Sequence, residues 1–222
     1  MFYNGGLNFL THTAMKRNEI TALIEREKIV AIIRLRKQDE VKNVLKGLVS
    51  GGIKVLEITS NTPGFLEEIS KGRELYDKAL IGAGTVTNTK IAADAIKAGA
   101  QFLVTPNTNA EVIKLAHKNN IPVLMGALTP TEVCVAVENG ADIVKLFPAG
   151  NMGFDYFKAI RGPLSETKFF VVGGIDLENA RDWMAAGASG LGIGSVLTKS
   201  GTTAQDIATI KHTARQFVER IK

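Results

Sequence analysis

Lys145 and Glu57 are the two residues of this chain whose types and surroundings suggest chemistry. Lys145 stands in Ile143-Val144-Lys145-Leu146-Phe147-Pro148, a single cation inside an apolar run. Lysine is rarely buried without a partner or a task, and so apolar a strand in a Gly-rich α/β pattern is expected to be covered on both faces. Burial disfavours the ammonium, lowers its pKa and leaves a neutral amine that can attack a carbonyl. The plainer alternative is a strand-end lysine that extends its charge to solvent. Glu57 lies in Val55-Leu56-Glu57-Ile58-Thr59. Strand alternation puts residues 55, 57 and 59 on one face and residues 143, 145 and 147 on another. If both faces point into one barrel, a carboxylate and an amine converge at its mouth. A Glu–Lys pair that only fixes packing is the competing reading, although such pairs seldom recover their desolvation cost. Together the two groups form the minimal kit for Schiff-base chemistry: an amine to form an iminium, and a carboxyl to move protons.

The elements that must position them recur along the chain. Helix-like segments end at Gly51-Gly52, Gly99-Ala100, Gly140-Ala141 and Gly187-Ala188, and an apolar strand follows each. Glycine there supplies the left-handed turn that ends a helix. Strands are expected at 29–35, 55–59, 80–86, 102–106, 122–127, 143–148, 168–173 and 191–197, each followed by a helix. The last helix, 203–222, is amphipathic through Ile207, Ile210, Phe217 and Ile221. Eight such units without a linker or composition break imply an α/β fold, one (β/α)8 TIM barrel over 15–222. An open doubly wound sheet is the alternative. Residues 1–14 read as a poorly ordered extension before an extra helix that begins near Lys16.

Sites in this fold gather at the C-terminal strand ends. Arg34 ends strand one and can hold a carboxylate through a bidentate pair, whereas Arg36 reads as a solvated surface residue. Thr85, in Gly82-Ala83-Gly84-Thr85-Val86, can bond the same carboxylate or simply end its strand. Gly173 and Gly174 after strand seven, with Gly194 and Ser195 of strand eight, occupy the two loops that often bind phosphate through backbone N–H groups. Pro106, Phe147 and Val172 complete the expected substrate-binding set.

Composition narrows the classes. The chain has 222 residues, 45% hydrophobic and 22% charged, which suits one globular domain. Its net charge of +5 is dispersed, so no nucleic-acid partner is expected, while an anionic small substrate is compatible. No run is long enough to span a membrane, and the start lacks the pattern of a signal peptide. The single cysteine, Cys134, rules out an internal disulfide and suits a cytoplasmic location. It falls in the helix-like Thr131-Glu132-Val133-Cys134-Val135-Ala136-Val137 and reads as a buried, inert thiol. With three histidines and one cysteine, a His/Cys metal site is not expected.

Leu56-Glu57-Ile58-Thr59, Ile81-Gly82-Ala83-Gly84-Thr85-Val86, Val104-Thr105-Pro106, Lys145-Leu146-Phe147-Pro148 and Val172-Gly173-Gly174-Ile175 occur in an order and spacing that resembles the 2-keto-3-deoxy-6-phosphogluconate / 4-hydroxy-2-oxoglutarate aldolase family. The likeness covers nearly the whole chain after residue 15. It implies a (β/α)8 barrel, usually a homotrimer, that cleaves a phosphorylated sugar acid to pyruvate and glyceraldehyde 3-phosphate. Cleavage of 4-hydroxy-2-oxoglutarate to pyruvate and glyoxylate would be a further activity. It also implies that Lys145 forms the Schiff base, that Glu57 shuttles protons, and that Arg34 and Thr85 hold the pyruvate carboxylate. Gly173, Gly174 and Ser195 would hold the phosphate. The iminium serves as electron sink, so no cofactor or metal is expected.

Two positions depart from many gluconate-type members. Asn61 stands where they carry arginine, and Val172 where they carry threonine. Both look more like the members that cleave the galactonate epimer, and the epimer stays open. Two other readings compete: a phosphate-binding barrel isomerase or epimerase, and a non-catalytic protein that binds a phosphorylated sugar acid. Metal-dependent epimerases use His and Asp at strand ends, and neither is expected there.

Overall fold

The computed structural model describes residues 15–198 and 203–222; the expected extension over 1–14 lies outside them. Eight parallel strands close into a barrel in sequential order. They are β1 (Ile29–Ile33), β2 (Val55–Thr59), β3 (Leu80–Gly84), β4 (Leu103–Val104), β5 (Val123–Ala127), β6 (Ile143–Leu146), β7 (Phe169–Val172) and β8 (Gly190–Ile193). Pairing of β1 with β8 rules out the open sheet. Around the barrel run α2 (Val41–Ser50), α3 (Phe65–Leu75), α4 (Thr89–Lys97), α5 (Ala110–Lys118), α6 (Pro130–Glu138), α7 (Ala149–Arg161), α8 (Ala180–Ala185) and α9 (Ala204–Ile221), preceded by α1 (Arg17–Glu27). Gly52, Gly99, Gly140 and Gly187 all take positive φ, the left-handed turn that lets each helix hand over to the next strand.

Two apolar layers result. The larger lies between strands and helices, and alternate strand residues fill the smaller one inside the barrel. Val30, Val55, Leu80, Phe102, Leu124, Ile143 and Phe170 meet there, joined by Ile20 and Ile24 of α1, which closes the N-terminal end. Inward glycines make room for large neighbours. A Cβ on Gly82 would come within 2.6 Å of the Phe102 ring, and one on Gly190 within 2.3 Å of the Phe170 ring. The anchor of α1 is polar. Asp142 meets Arg17 at 3.4 Å and His117 at 2.9 Å. Buried Glu27 binds Lys54 and the terminal-residue side chain of Lys222.

Strand four is much shorter than the expected 102–106. Proline offers no N–H to a ladder, and the hydroxyl of buried Thr105 instead caps its neighbours, binding the Asn107 carbonyl and the Gly126 N–H. The expectation for Cys134 fails, because its side chain is exposed. Of helix α6 only Val133 and Ala136 are buried, and Val135 and Val137 face outward with the thiol.

Candidate active site

The C-terminal ends of the strands surround a cavity of about 420 Å³. Arg34 enters it from beyond β1, Thr85 from beyond β3, and Pro106 from beyond β4. Lys145 and Phe147 come from β6 and its end, Val172, Gly173 and Gly174 from β7 and its turn, and Gly194 and Ser195 from the turn after β8. Glu57 lies behind this lining on β2, only 1% exposed.

Lys145 is 5% exposed and pairs in register with Gly126 on one side and Phe170 on the other. Gly126 is backed by the Pro106–Asn107 backbone, which a Cβ would approach to 2.5 Å. The Lys145 amine stands 5.1 Å from the centre of the Phe147 ring. Burial pulls its pKa below the ordinary lysine value; the nearby Glu57 carboxylate raises it and the Arg34 cation lowers it further. Glu57 moves the other way. Burial pushes its carboxyl up, against the opposing fields of Lys145 and Arg34. These shifts favour an uncharged amine beside a protonated acid, the pairing that attack on a ketone needs. The Glu57 rotamer depends on Gly84, since a Cβ there would lie 1.7 Å from Oε1.

Arg34 and Thr85 meet at the rim, with Nη2 3.5 Å from Oγ1. Arg34 is exposed and has no carboxylate partner among the described residues, so its guanidinium is available to one. Thr85 takes φ 55°, a rare state for a β-branched residue that costs about 1–3 kcal/mol and tends to mark functional sites. Arg36 is exposed and outside the cavity.

Opposite them, Gly173 (φ 96°) and Gly174 (φ 71°) form a left-handed turn. The N–H of Gly150, in the first turn of α7, donates to the Gly173 carbonyl at 2.9 Å, and a Cβ on Gly150 would strike that oxygen. A Cβ on Gly194 would meet nothing within 4 Å, so glycine there leaves open space. Its carbonyl is held by the N–H groups of Leu197 and Thr198, which shape the turn that carries Ser195. Among the described residues walling the cavity the cations are Arg34 and Lys145 alone, and Ser195 brings a hydroxyl to this end.

Several wall residues were not anticipated. Asp176, beyond β7, puts an aspartate in the wall, where the strand ends were expected to carry neither His nor Asp. Its Oδ1 accepts the N–H groups of Glu178 and Asn179, both at 2.9 Å, and the spacing Asp176–Asn179 is the turn signal that reveals it. Ile32 and Gly192 form an apolar floor with Val172, whose Cγ2 would be 2.6 Å from a Cβ on Gly192. Thr198 ties the turn to β1 by donating to the Ile32 carbonyl at 2.9 Å. No group of three or more His, Cys, Asp or Glu suited to a metal occurs among the described residues.

With this geometry the comparisons agree. The chain matches the family described as KDPG and KHG aldolase over residues 20–213. It is 36% identical over 197 residues to the 2-dehydro-3-deoxy-6-phosphogalactonate aldolase of Escherichia coli (strain K12), across 86% of this chain and 96% of that one. It is also 36% identical over 158 residues to the 2-dehydro-3-deoxy-phosphogluconate aldolase of Dickeya dadantii (strain 3937), across 71% of this chain and 74% of that one. A crystal structure of KDPG aldolase from Legionella pneumophila, with pyruvate captured at low pH as a covalent carbinolamine intermediate, matches with a TM-score of 0.76 at 26% identity, covering 90% of this chain and 95% of that one. This chain belongs to the KDPG and KHG aldolase family and is an enzyme of the lyase class.

Proposed function

We propose that the protein is a class I aldolase that cleaves a 6-phosphorylated 2-keto-3-deoxy sugar acid to pyruvate and D-glyceraldehyde 3-phosphate. The observation that carries this reading is a buried lysine of lowered pKa beside a buried glutamate of raised pKa at the mouth of a barrel. The Lys145 amine attacks the C2 ketone while Glu57 protonates the carbonyl oxygen, and loss of water from the carbinolamine leaves an iminium. Glu57, now a carboxylate, takes the C4 hydroxyl proton. The C3–C4 bond breaks, its electrons move into the iminium to give an enamine, and the aldehyde departs. Glu57 returns the proton to C3, and hydrolysis releases pyruvate and the free amine. Arg34 and Thr85 hold the carboxylate, with Pro106 and Phe147 against the pyruvate carbons. Gly173, Gly174, Gly194 and Ser195 hold the phosphate. The same steps would cleave 4-hydroxy-2-oxoglutarate to pyruvate and glyoxylate.

The test is borohydride reduction in the presence of pyruvate, followed by peptide mass mapping. A stable pyruvate adduct should appear on Lys145. Its absence would favour a phosphate-binding barrel isomerase or a non-catalytic binder.

Substrate choice depends on the apolar floor. A C4 hydroxyl near Val172 finds no hydrogen-bond partner in that side chain, and polar contacts are the strong discriminators between similar substrates. Turnover of both the gluconate and galactonate epimers is therefore expected, without a large gluconate bias. Val172→Thr should raise the gluconate preference. Measuring kcat/KM for both epimers on the two proteins checks this. A strong gluconate preference in the wild type, unmoved by the substitution, would remove position 172 from specificity.

The homotrimer belongs to this proposal on the family resemblance, and the cytoplasmic location on the lone free cysteine. No helix among the described residues is long and apolar enough to cross a membrane.

A further inference from the structure

Thr59, the last residue of β2, and Ser60 and Thr62 just beyond it do not line the cavity, yet each side chain is bonded to backbone at the rim. The pairing of β1 with β2 runs out at Ile33 and Ile58, one residue before Arg34. There threonine hydroxyls take over from the ladder. Thr62 Oγ1 accepts the Leu35 N–H at 3.2 Å and lies 3.2 Å from the Ile33 carbonyl oxygen. Thr59 Oγ1 lies 3.1 Å from that same oxygen and 3.1 Å from Thr62 Oγ1. Two hydroxyl protons serve these contacts, and both side chains are fully buried. The peptide groups on either side of Arg34 are thus fixed by one threonine. Next along the chain, the Ser60 hydroxyl donates to the Thr85 carbonyl at 2.8 Å and its N–H donates to the Gly84 carbonyl at 2.8 Å. Those bonds brace the peptide that holds Thr85 in its left-handed state.

We propose that Ser60 and Thr62 are positioning residues for carboxylate recognition, acting through the backbones of Thr85 and Arg34. The inference rests on the aldolase reading, in which those two side chains hold the pyruvate carboxylate. Arg34 and Thr85 sit on different strands, and their side chains touch each other only at 3.5 Å. The segment after β2 is what sets their spacing, and it leads directly from Glu57. A carboxylate held by two groups is sensitive to their separation, so loosening either backbone should weaken pyruvate binding more than it slows the bond-breaking step.

The experiment follows the pyruvate concentration that gives half-maximal borohydride trapping in wild type, Ser60→Ala, Thr62→Val and Thr62→Ser, with kcat and KM for cleavage. Ser60→Ala and Thr62→Val should raise that concentration by about five- to thirtyfold, the effect of losing a hydrogen-bonded support. Saturating kcat should fall less than threefold. Thr62→Ser keeps the hydroxyl and should stay near wild type. Half-saturation unchanged in both Ser60→Ala and Thr62→Val, with wild type trapped normally, would overturn the inference and leave the aldolase reading intact. Wild type that forms no adduct would overturn both. If Thr62→Val does not fold, Ser60→Ala decides alone, because the serine hydroxyl bonds a surface-proximal carbonyl and its loss leaves the core untouched.

Discussion

Lys145→Ala should lose turnover by on the order of 10⁵-fold or more, into the assay background, because the covalent route itself disappears. Lys145→Met should behave the same way, and its similar volume makes it the cleaner variant for a site this buried. Both should keep the native fold, since no hydrogen bond to the amine occurs among the described residues and removing a buried ionisable group relieves a burial penalty. Glu57 then loses the nearby positive field that opposes burial, so its carboxyl should move further up. The wild-type pH profile supplies an independent check. The nucleophile is the neutral amine, and burial lowers the pKa below which it protonates. Trapping by pyruvate and borohydride should therefore rise with pH and reach its half-point below the ordinary lysine value. Appreciable retro-aldol activity in Lys145→Ala would sink the Schiff-base route, and a half-point at or above the ordinary value would mean that the amine is not desolvated.

Glu57→Gln should lower kcat by about 10²–10⁴-fold while leaving substrate affinity nearly unchanged, the usual loss when a positioned proton carrier is removed. Glutamine matches the shape of glutamate and fits the space that Gly84 leaves for it, but it cannot cycle a proton between the carbinolamine, the C4 hydroxyl and C3. Pyruvate trapping should slow as well, because dehydration of the carbinolamine needs an acid. Burial holds the Glu57 carboxyl above its ordinary range, so the acid form persists to higher pH than for an exposed glutamate. Activity should accordingly decline on the alkaline side as that proton is lost. A variant with normal kcat and only a raised KM would make Glu57 a binding residue.

The barrel was legible because its joints and strands carry unambiguous signals. Glycines at four helix ends take the left-handed conformation that the pattern demands. The strand limits were less legible, since apolar runs continue past the last ladder bond: β1 stops at Ile33 and β4 spans two residues. The cysteine shows why an apolar run does not equal burial. Each helix residue turns the side chain by about 100°, so Val133 and Ala136 can face the barrel while Cys134, Val135 and Val137 cannot. At the site, Lys145 and Glu57 stood out because charge inside an apolar strand is rare. Ile32 and Thr198 carried no such mark. Their place in the wall follows from closure of β8 onto β1, a long-range fact that local spacing does not encode.

Helix α1 makes the cavity a blind well. With Ile20 and Ile24 seated under the layer that includes Phe102 and Phe170, the described residues leave the cavity open at its rim. In the proposed reaction the three-carbon fragment attached to Lys145 occupies the depth, and the phosphorylated fragment lies between it and solvent. Departure is then sequential: the aldehyde vacates first, and only afterwards does bulk water reach the enamine's side of the well. The order protects the nucleophilic carbon while its partner is still present. In the condensing direction the same one-way plan requires pyruvate to be loaded before the aldehyde arrives.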